Sequence, residues 1–181
     1  MIERVVLILT LIAMLQSISF SQVGPFYPFE AKKKGVTPLS IGWVIGAFSI
    51  AYIISGIVSG KYLSKIGKRN GLKLGLLMII IQLVGLGSLK FIHPPSHFVG
   101  LSILYMMIGG AGNALNTTCI LSIINTNYPD EKEKNLALFE GGSGLGLLLG
   151  PLFGSILYSI GGYILQFLVF GIITCIFYPI I

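Results

Sequence analysis

The chain has 181 residues, of which 54% are hydrophobic and 10% charged, and its formal net charge is +6. A soluble domain carries about 25% charged residues, so this composition excludes a water-soluble globule, and the high hydrophobicity excludes a disordered chain. The basic surplus does not indicate nucleic acid, because such a partner requires an extensive exposed polar surface. The expected partner is the lipid bilayer.

Stretches without Asp, Glu, Lys or Arg indicate where the chain crosses the membrane, since one crossing needs about 20 apolar residues. The last stretch, 141–181, is long enough for two helices and is divided by Gly161 and Gly162, which favour a turn. Pro94 and Pro95 mark a loop before the fourth helix. The sequence therefore predicts an all-α membrane protein with six transmembrane helices, at about 5–22, 39–59, 72–89, 99–125, 136–160 and 163–181.

The first helix has an alternative interpretation as a secretory signal. Arg4, the apolar run 5–15 and the small residues Ser17, Ser19 and Ser21 also fit a signal with a cleavage site. Because apolar character resumes at Phe20 and five further helices follow, a retained first helix is the simpler account.

The orientation follows from the basic residues, which remain on the cytoplasmic side of short loops. A cytoplasmic N-terminus places most of the twelve on that side: Arg4, Lys61, Lys65, Lys68, Arg69, Lys73, Lys132 and Lys134. The run Lys32 to Lys34 opposes this arrangement. Just before it, Phe26, Tyr27 and Phe29 are expected at the outer interface as an aromatic belt.

The fifth predicted helix carries glycines at intervals of four, at Gly142, Gly146, Gly150 and Gly154. Residues four apart share one helical face, so these glycines allow another helix to approach to backbone contact. A static packing contact is one interpretation. Pro151 favours a functional bend as the other, because it frees a carbonyl four residues earlier.

A basic segment joins the second and third predicted helices and contains Gly60, Ser64, Gly67, Lys68 and Arg69. Its charge alone is typical of a loop that sets membrane topology. Glycines at both ends of a tight basic turn also fit a gating loop that packs against helix ends in two arrangements.

Both motifs resemble signatures of the major facilitator superfamily. Gly60, Gly67, Lys68 and Arg69 match the form G-x-L-A-D-R-x-G-R-R, with Ser64 at the Asp position. The antiporter form G-x-x-x-G-P-x-x-G is matched in the fifth helix by Gly146, Gly150, Pro151 and Gly154.

Within that superfamily, the amino-acid sequence is most similar to the vesicular amine transporter branch, especially its polyamine-type members. The segments that carry this similarity are GPFYPFEAKKKGV, IGWVIGAFSIAYIISGIVSGKYLSKIGKR and FEGGSGLGLLLGPLFGSILYSIGGY. Members of this family have twelve helices. The resemblance therefore implies that residues 1–181 form an N-terminal half, built as two inverted three-helix repeats over 5–89 and 99–181.

Glu140 is the predicted proton- or cation-coupling residue. It lies about 12 Å on the cytoplasmic side of the bilayer centre at about 1.5 Å per residue, where an acidic side chain is expensive and therefore a functional candidate. The alternative is an interfacial carboxylate in the first turns of the helix, favoured by the helix dipole.

Polar residues at membrane depth are the predicted substrate path, since the first and fourth helices face the cavity in transporters that the chain resembles. They are Gln16, Asn113, Asn116 and Thr117. Hydrogen bonding between helices is the alternative for each of them.

Two functions remain open from the sequence. The first is a transporter in a vesicle or plasma membrane that exchanges protons for a small organic cation, a polyamine or monoamine, alone or paired with a second half or copy. The second is a non-transporting truncated half or a six-helix partner of a full-length transporter. The spans contain no acid pair and no nucleophile with a base, so no enzyme, cofactor or metal site is predicted.

Overall fold

The computed structural model describes residues 4–180, and it is helical through nearly all of them. The elements are α1 (Arg4–Ser21), α2 (Val23–Lys33), α3 (Pro38–Ile66), α4 (Lys68–Ser88), a 3-10 turn (Leu89–Phe91), α5 (Pro95–Asn127), α6 (Lys132–Phe177) and a final 3-10 turn (Tyr178–Ile180). Five segments in this range are long and apolar enough to cross a membrane, with α1 and α2 together forming the first. The all-helical membrane class is confirmed, while six crossings and inverted repeats stay predictions.

The first predicted helix ends near residue 22, as α1 does, but a second helix that was not predicted follows it. The backbone of Gln22 is itself helical (φ −67°, ψ −23°), so α2 continues almost directly from α1. Pro25 lies in the first turn of α2, where no helical N–H bond is lost, and Pro28 removes only one such bond. These prolines allow a helix where the sequence interpretation expected a loop.

The predicted aromatic belt is therefore corrected in part. Tyr27 is fully buried and stacks on Phe98 with ring centroids 5.7 Å apart, so it belongs to the core. Phe29 is exposed, and Phe26 stacks on Tyr158 at 5.4 Å. The helical course of α2 separates these three rings onto different faces.

The predicted loop between the second and third helices is almost absent. Thr37 caps α3 by accepting a hydrogen bond from the Ser40 backbone N–H at 3.3 Å, and α3 then continues to Ile66 rather than to 59. Residues 61–66 contain neither Gly nor Pro, so nothing in them interrupts the helix. Gly67, at φ 81°, is the single residue between α3 and α4.

Replacing Gly67 by alanine is expected to lower the free energy of unfolding by about 1–3 kcal/mol, because a side chain at this positive φ is strained. Gly60→Ala is the matched control, since Gly60 is helical and a Cβ there meets no atom within 4 Å. Unfolding of both variants by SDS in mixed micelles measures the difference. Equal stability of the two variants would contradict the assignment of Gly67 as the strained turn.

The last helix, α6, spans 46 residues but is not straight. Gly162 has φ 71° and ψ −162°, outside the helical region. Beyond it the chain folds back, because Oε1 of Gln166 lies 3.4 Å from the position of a Cβ on Gly154, whereas twelve residues of straight helix span about 18 Å. The turn expected at Gly161 and Gly162 thus lies at Gly162.

Two apolar clusters hold the bundle together, one toward each end. One contains Leu9, Ile12, Leu72, Leu76, Cys119, Ile120 and Phe139. The other contains Ile18, Tyr27, Leu83, Leu86, Phe98, Tyr163 and Phe167. Because α6 contributes Phe139 to the first cluster, Tyr163 to the second and Phe177 again to the first, it runs from one end of the bundle to the other and returns.

The outer face of α3 is apolar and carries a row of small residues. Leu39, Trp43 and Ile57 are each more than 60% exposed. On the same helix lies the α3 glycine row, Gly42, Gly46, Gly56 and Gly60, where an added Cβ meets nothing within 4 Å among the described residues. This face is suited to lipid or to another helix.

Candidate functional site

A polar contact between α1 and α5 lies between the two apolar clusters. The side-chain amide of Gln16 donates to the carbonyl oxygen of Asn113 at 3.2 Å and to Oγ1 of Thr117 at 2.9 Å. Asn113 and Thr117 are four residues apart and so share one face of α5. The structure thus brings three of the four predicted substrate-path residues together.

A cavity of about 330 Å³ opens beside this contact and is bounded by α1, α3, α5 and α6. Its lining residues are Gln16, Ser17, Phe20, Phe48, Ser49, Tyr52, Ile53, Asn113 and Leu147. Phe20 and Phe48 have ring centroids 4.6 Å apart, and Phe48 stacks on Tyr52 at 6.3 Å. Aromatic faces together with amide oxygens provide the surface that an organic cation requires.

Asn116 does not belong to this site, contrary to its prediction as a path residue. It is fully buried and lies against Gly75 of α4. Position 116 is 100° around the helix from 117, and the side chain there turns toward α4. Both side-chain amide atoms of Asn116 have no hydrogen-bond partner among residues 4–180.

Glu140 lies on an exposed part of α6 and forms neither an ion pair nor a hydrogen bond within the described chain. It precedes the cavity residue Leu147 by seven residues, which is two helical turns and about 10 Å along the axis. The two side chains therefore share one face of α6. Between them lies Gly144, where an added Cβ meets nothing within 4 Å.

The α6 glycine row, Gly142, Gly146, Gly150 and Gly154, is where α1 and α2 pack on α6. All four glycines are buried. Added Cβ atoms would approach Thr10, Ser17, Ile18 and Phe26, in that order along α1 and α2. Pro151, directly after Gly150, offers no N–H to the carbonyl of Leu147, so a backbone acceptor is left at the cavity wall.

The basic residues of the predicted gating loop lie at the start of α4. Lys68 donates from Nζ to the carbonyl oxygen of Ser122 at 3.3 Å and to Oγ1 of Thr126, which ties α4 to α5. Arg69 follows it and lines a cavity of about 350 Å³ with Leu9 and Asn127. The predicted gating loop is much shorter than its five residues suggested, because Gly60 and Ser64 are helical and only Gly67 lies between α3 and α4.

Glu30 is a buried carboxyl that the sequence interpretation missed. It is 8% exposed and lies 3.6 Å from the Nζ atom of Lys33. Residues 23–38 lie between the first two predicted helices, so this acid was not among the candidates at membrane depth. The three-residue spacing between Glu30 and Lys33, which is typical of a helical ion pair, was the available signal.

No three His, Cys, Asp or Glu side chains come together anywhere in residues 4–180. This part of the chain therefore contains no preformed metal-ligand cluster of those residue types.

Comparison with known proteins gives the family. The model of the Major Facilitator Superfamily matches residues 9–181. The MFS-type transporter SLC18B1 of Homo sapiens is 30% identical over 161 residues, covering 89% of this chain and 35% of that protein.

Two further relatives are named for other functions. The multidrug efflux protein YfmO of Bacillus subtilis (strain 168) is 30% identical over 146 residues, covering 79% of this chain and 35% of that protein. The vesicular acetylcholine transporter unc-17 of Caenorhabditis elegans is 26% identical over 137 residues, covering 75% of this chain and 24% of that protein. The chain spans about a third of the length of the relatives that it matches.

The family is one of transporters rather than enzymes, and the apolar helices agree with a multi-pass integral membrane protein. With this match over nearly the whole chain, the protein belongs to the Major Facilitator Superfamily.

Proposed function

We propose that the chain is the N-terminal half of a secondary transporter that moves a small organic cation, a polyamine or monoamine, in exchange for protons by alternating access. The cavity between α1, α3, α5 and α6 is the observation that carries this proposal. Its aromatic rings offer a cation π-faces, the Gln16 side chain lines its wall, and the carbonyl of Leu147 has no helical donor.

Glu140 is the proposed proton-coupling group. It shares a helical face with the cavity wall and has no cation of its own within the described residues. A carboxylate without a partner exchanges a proton for a substrate cation at little structural cost. Coupling then follows from competition of the two cations for one negative charge.

In this proposal the chain crosses the membrane six times, with its N-terminus in the cytoplasm of a vesicle or plasma membrane. The reversal of α6 at Gly162 supports the sixth crossing, because it divides the 46 residues into two antiparallel parts. Helices α1, α3 and α4 would then form one three-helix repeat, and α5 with the two parts of α6 the other.

Transport by alternating access also requires a second half, supplied by further residues of a longer protein or by a second copy of the chain. The exposed α3 glycine row supports such pairing, because it allows close approach of a helix from outside. The same row favours the alternative function, a six-helix partner that associates with a full-length transporter without transporting anything.

Uptake of radiolabelled spermidine by the full chain in liposomes with an acidic lumen tests the proposal. We expect uptake that requires the pH gradient and that falls at least fivefold in Glu140→Gln, because the coupling charge is lost. Glu133→Gln is the matched control, since Glu133 lies seven residues earlier on α6 and is also exposed.

Each result of this assay has a distinct meaning. Equal uptake in Glu140→Gln and the unchanged chain would remove Glu140 from the mechanism. Uptake without a pH gradient would exclude proton coupling. If no variant takes up spermidine, transport by this chain alone is excluded and the partner function is favoured.

A further inference from the structure

Glu30 is the one carboxyl that is buried among residues 4–180; Asp130, Glu131, Glu133 and Glu140 are all exposed. The proposed transport cycle does not yet use it. It lies on α2 near Tyr158 and Tyr163 of α6, and Tyr158 is 18 residues from Glu140, or about 27 Å along a helix. The two carboxyls therefore lie toward opposite ends of the bundle.

Glu30 takes part in a polar chain that joins α2 to α6. Its Oε2 atom lies 3.6 Å from Nζ of Lys33, and that Nζ donates to the hydroxyl of Tyr158 at 3.3 Å. The ammonium group also lies 4.3 Å from the centroid of the Phe29 ring. The Lys33 side chain is 52% exposed, while that of Glu30 is 10% exposed. These polar contacts therefore connect water to a buried acid.

In the same half of the bundle as Glu30, the core contains polar side chains that have no hydrogen-bond partner within the described residues. They are Gln22, Tyr163 and Gln166, each at most 1% exposed. Tyr163 and Gln166 are three residues apart and so share a helical face. Tyr163 is close enough to Glu30 for a direct electrostatic interaction.

Such atoms indicate a site that binds more than apolar side chains. A buried amide or hydroxyl without a partner costs about 1–3 kcal/mol, so a cluster of them is retained only where another donor or acceptor reaches it. A protonated carboxyl has an O–H donor that an ionised one lacks, and the Gln166 and Tyr163 oxygens accept such a bond.

Several cations lie at the same end of the bundle as Glu30. Lys33 is its direct partner, and Nζ of Lys90 lies 3.7 Å from the position of a Cβ on Gly162, next to Tyr163. Nζ of Lys34 is bound to the carbonyl oxygens of Lys90 and Ile92 at 2.9 and 2.6 Å. The phenol of Tyr158 accepts the Lys33 bond, and that of Tyr163 interacts with both Glu30 and Tyr27. Among the described residues, the cation in direct contact with Glu30 is Lys33.

We propose that Glu30 is a second proton-binding site, open to the side of the membrane opposite Glu140, and that its protonation frees Lys33 and loosens the contact between α2 and α6. The proton comes from bulk water and binds one carboxylate oxygen, so no other group changes its bonds. This inference rests on the proposed function, because a proton-exchange cycle needs a group that is reached from each side of the membrane.

Labelling with dicyclohexylcarbodiimide tests the site, since this apolar reagent attacks protonated carboxyls in apolar surroundings. The full chain in liposomes is labelled between pH 5.5 and pH 8, and modification of Glu30 is quantified by peptide mass spectrometry. We expect at least fivefold more label on Glu30 at pH 5.5. In Lys33→Gln the rise should begin at a higher pH, because the cation that opposes protonation is gone.

Two internal comparisons make the result specific. Glu131 is also paired with a lysine three residues away, Lys134 at 2.9 Å, but its side chain is exposed to water, so the apolar reagent should label it little at any pH. Tyr158→Phe removes only the hydroxyl that receives the Lys33 bond and keeps the stacked ring, so it should preserve the fold while shifting the Glu30 profile less than Lys33→Gln does.

Label on Glu30 that is independent of pH, or unchanged by Lys33→Gln, would overturn the site. The labelling needs no movement of substrate, so the two proposals fail separately. If no uptake is seen but labelling of Glu30 depends on pH, the transport proposal alone is overturned. If uptake is driven by the gradient but labelling of Glu30 does not depend on pH, the second site alone is overturned.

Discussion

Replacing Gly146 by alanine is expected to lower the free energy of unfolding by about 1–3 kcal/mol, which is the usual cost of overpacking a tight contact. The new methyl group would overlap the carbonyl oxygen of Met14 and would lie 2.8 Å from Cβ of Ser17, both on α1. Because one of these obstacles is backbone, no rotamer change relieves the overlap, and α1 must move away from α6. Unfolding by SDS in lipid micelles measures the loss.

Gly144→Ala is the matched control for this effect. It lies two residues away on the same helix, and its added Cβ meets no atom within 4 Å. Alanine is the better helix former, so the control should be as stable as the unchanged chain or slightly more stable. Similar losses in the two variants would show that helix propensity, and not the approach of α1, determines the effect.

Replacing Gln16 by leucine is expected to weaken cation binding to the cavity at least tenfold. The variant keeps the side-chain volume but removes the amide that donates to the Asn113 carbonyl and to Thr117 at the wall of the cavity. A tenfold change corresponds to about 1.4 kcal/mol, within the range of one or two hydrogen bonds. Binding of radiolabelled spermidine to the full chain in detergent measures it.

The neighbouring threonines offer a matched pair for the same measurement. Thr117→Ala removes the acceptor of the Gln16 amide and should weaken binding severalfold. Thr118→Ala removes an identical group, but that hydroxyl donates to the Ala114 carbonyl of its own helix at 2.8 Å and should leave binding unchanged. Equal affinities for the two variants would exclude the contact between Gln16 and Thr117 from the site.

Much of the helix pattern was predictable because membrane helices depend mainly on apolar length. The errors occur at helix ends, where composition misleads. Residues 23–33 were left between two predicted helices, yet they are helical, and Pro25 lies in the first turn of α2, where a proline costs little. Lys61 and Lys65 suggested a loop, although their long side chains are good helix formers. Gly162 was predictable because paired glycines interrupt a long apolar run.

The site was predictable only as far as helical spacing determines it. Asn113 and Thr117 share a face and come together with Gln16. Asn116 is only three residues from Asn113, yet its side chain packs against Gly75 of α4, a tertiary contact that the spacing does not reveal. Nothing in the sequence indicates that α1 rather than another helix covers the α6 glycine row. The burial of Glu30 depends on α6 folding back over α2, a tertiary contact that no local pattern reveals.

The placement of the two apolar clusters has a consequence for where the bundle is least tightly held. On α1, Gln16 separates Ala13 from Ile18, and on α5, Asn113 lies between Met106 and Leu115, so each helix changes from one cluster to the other across an amide. Apolar burial therefore stabilises the two ends, while the layer between them includes the unsatisfied oxygen of Gln16 and gains little. We therefore expect local stability to be lowest halfway along the bundle, at the depth of the proposed cation cavity.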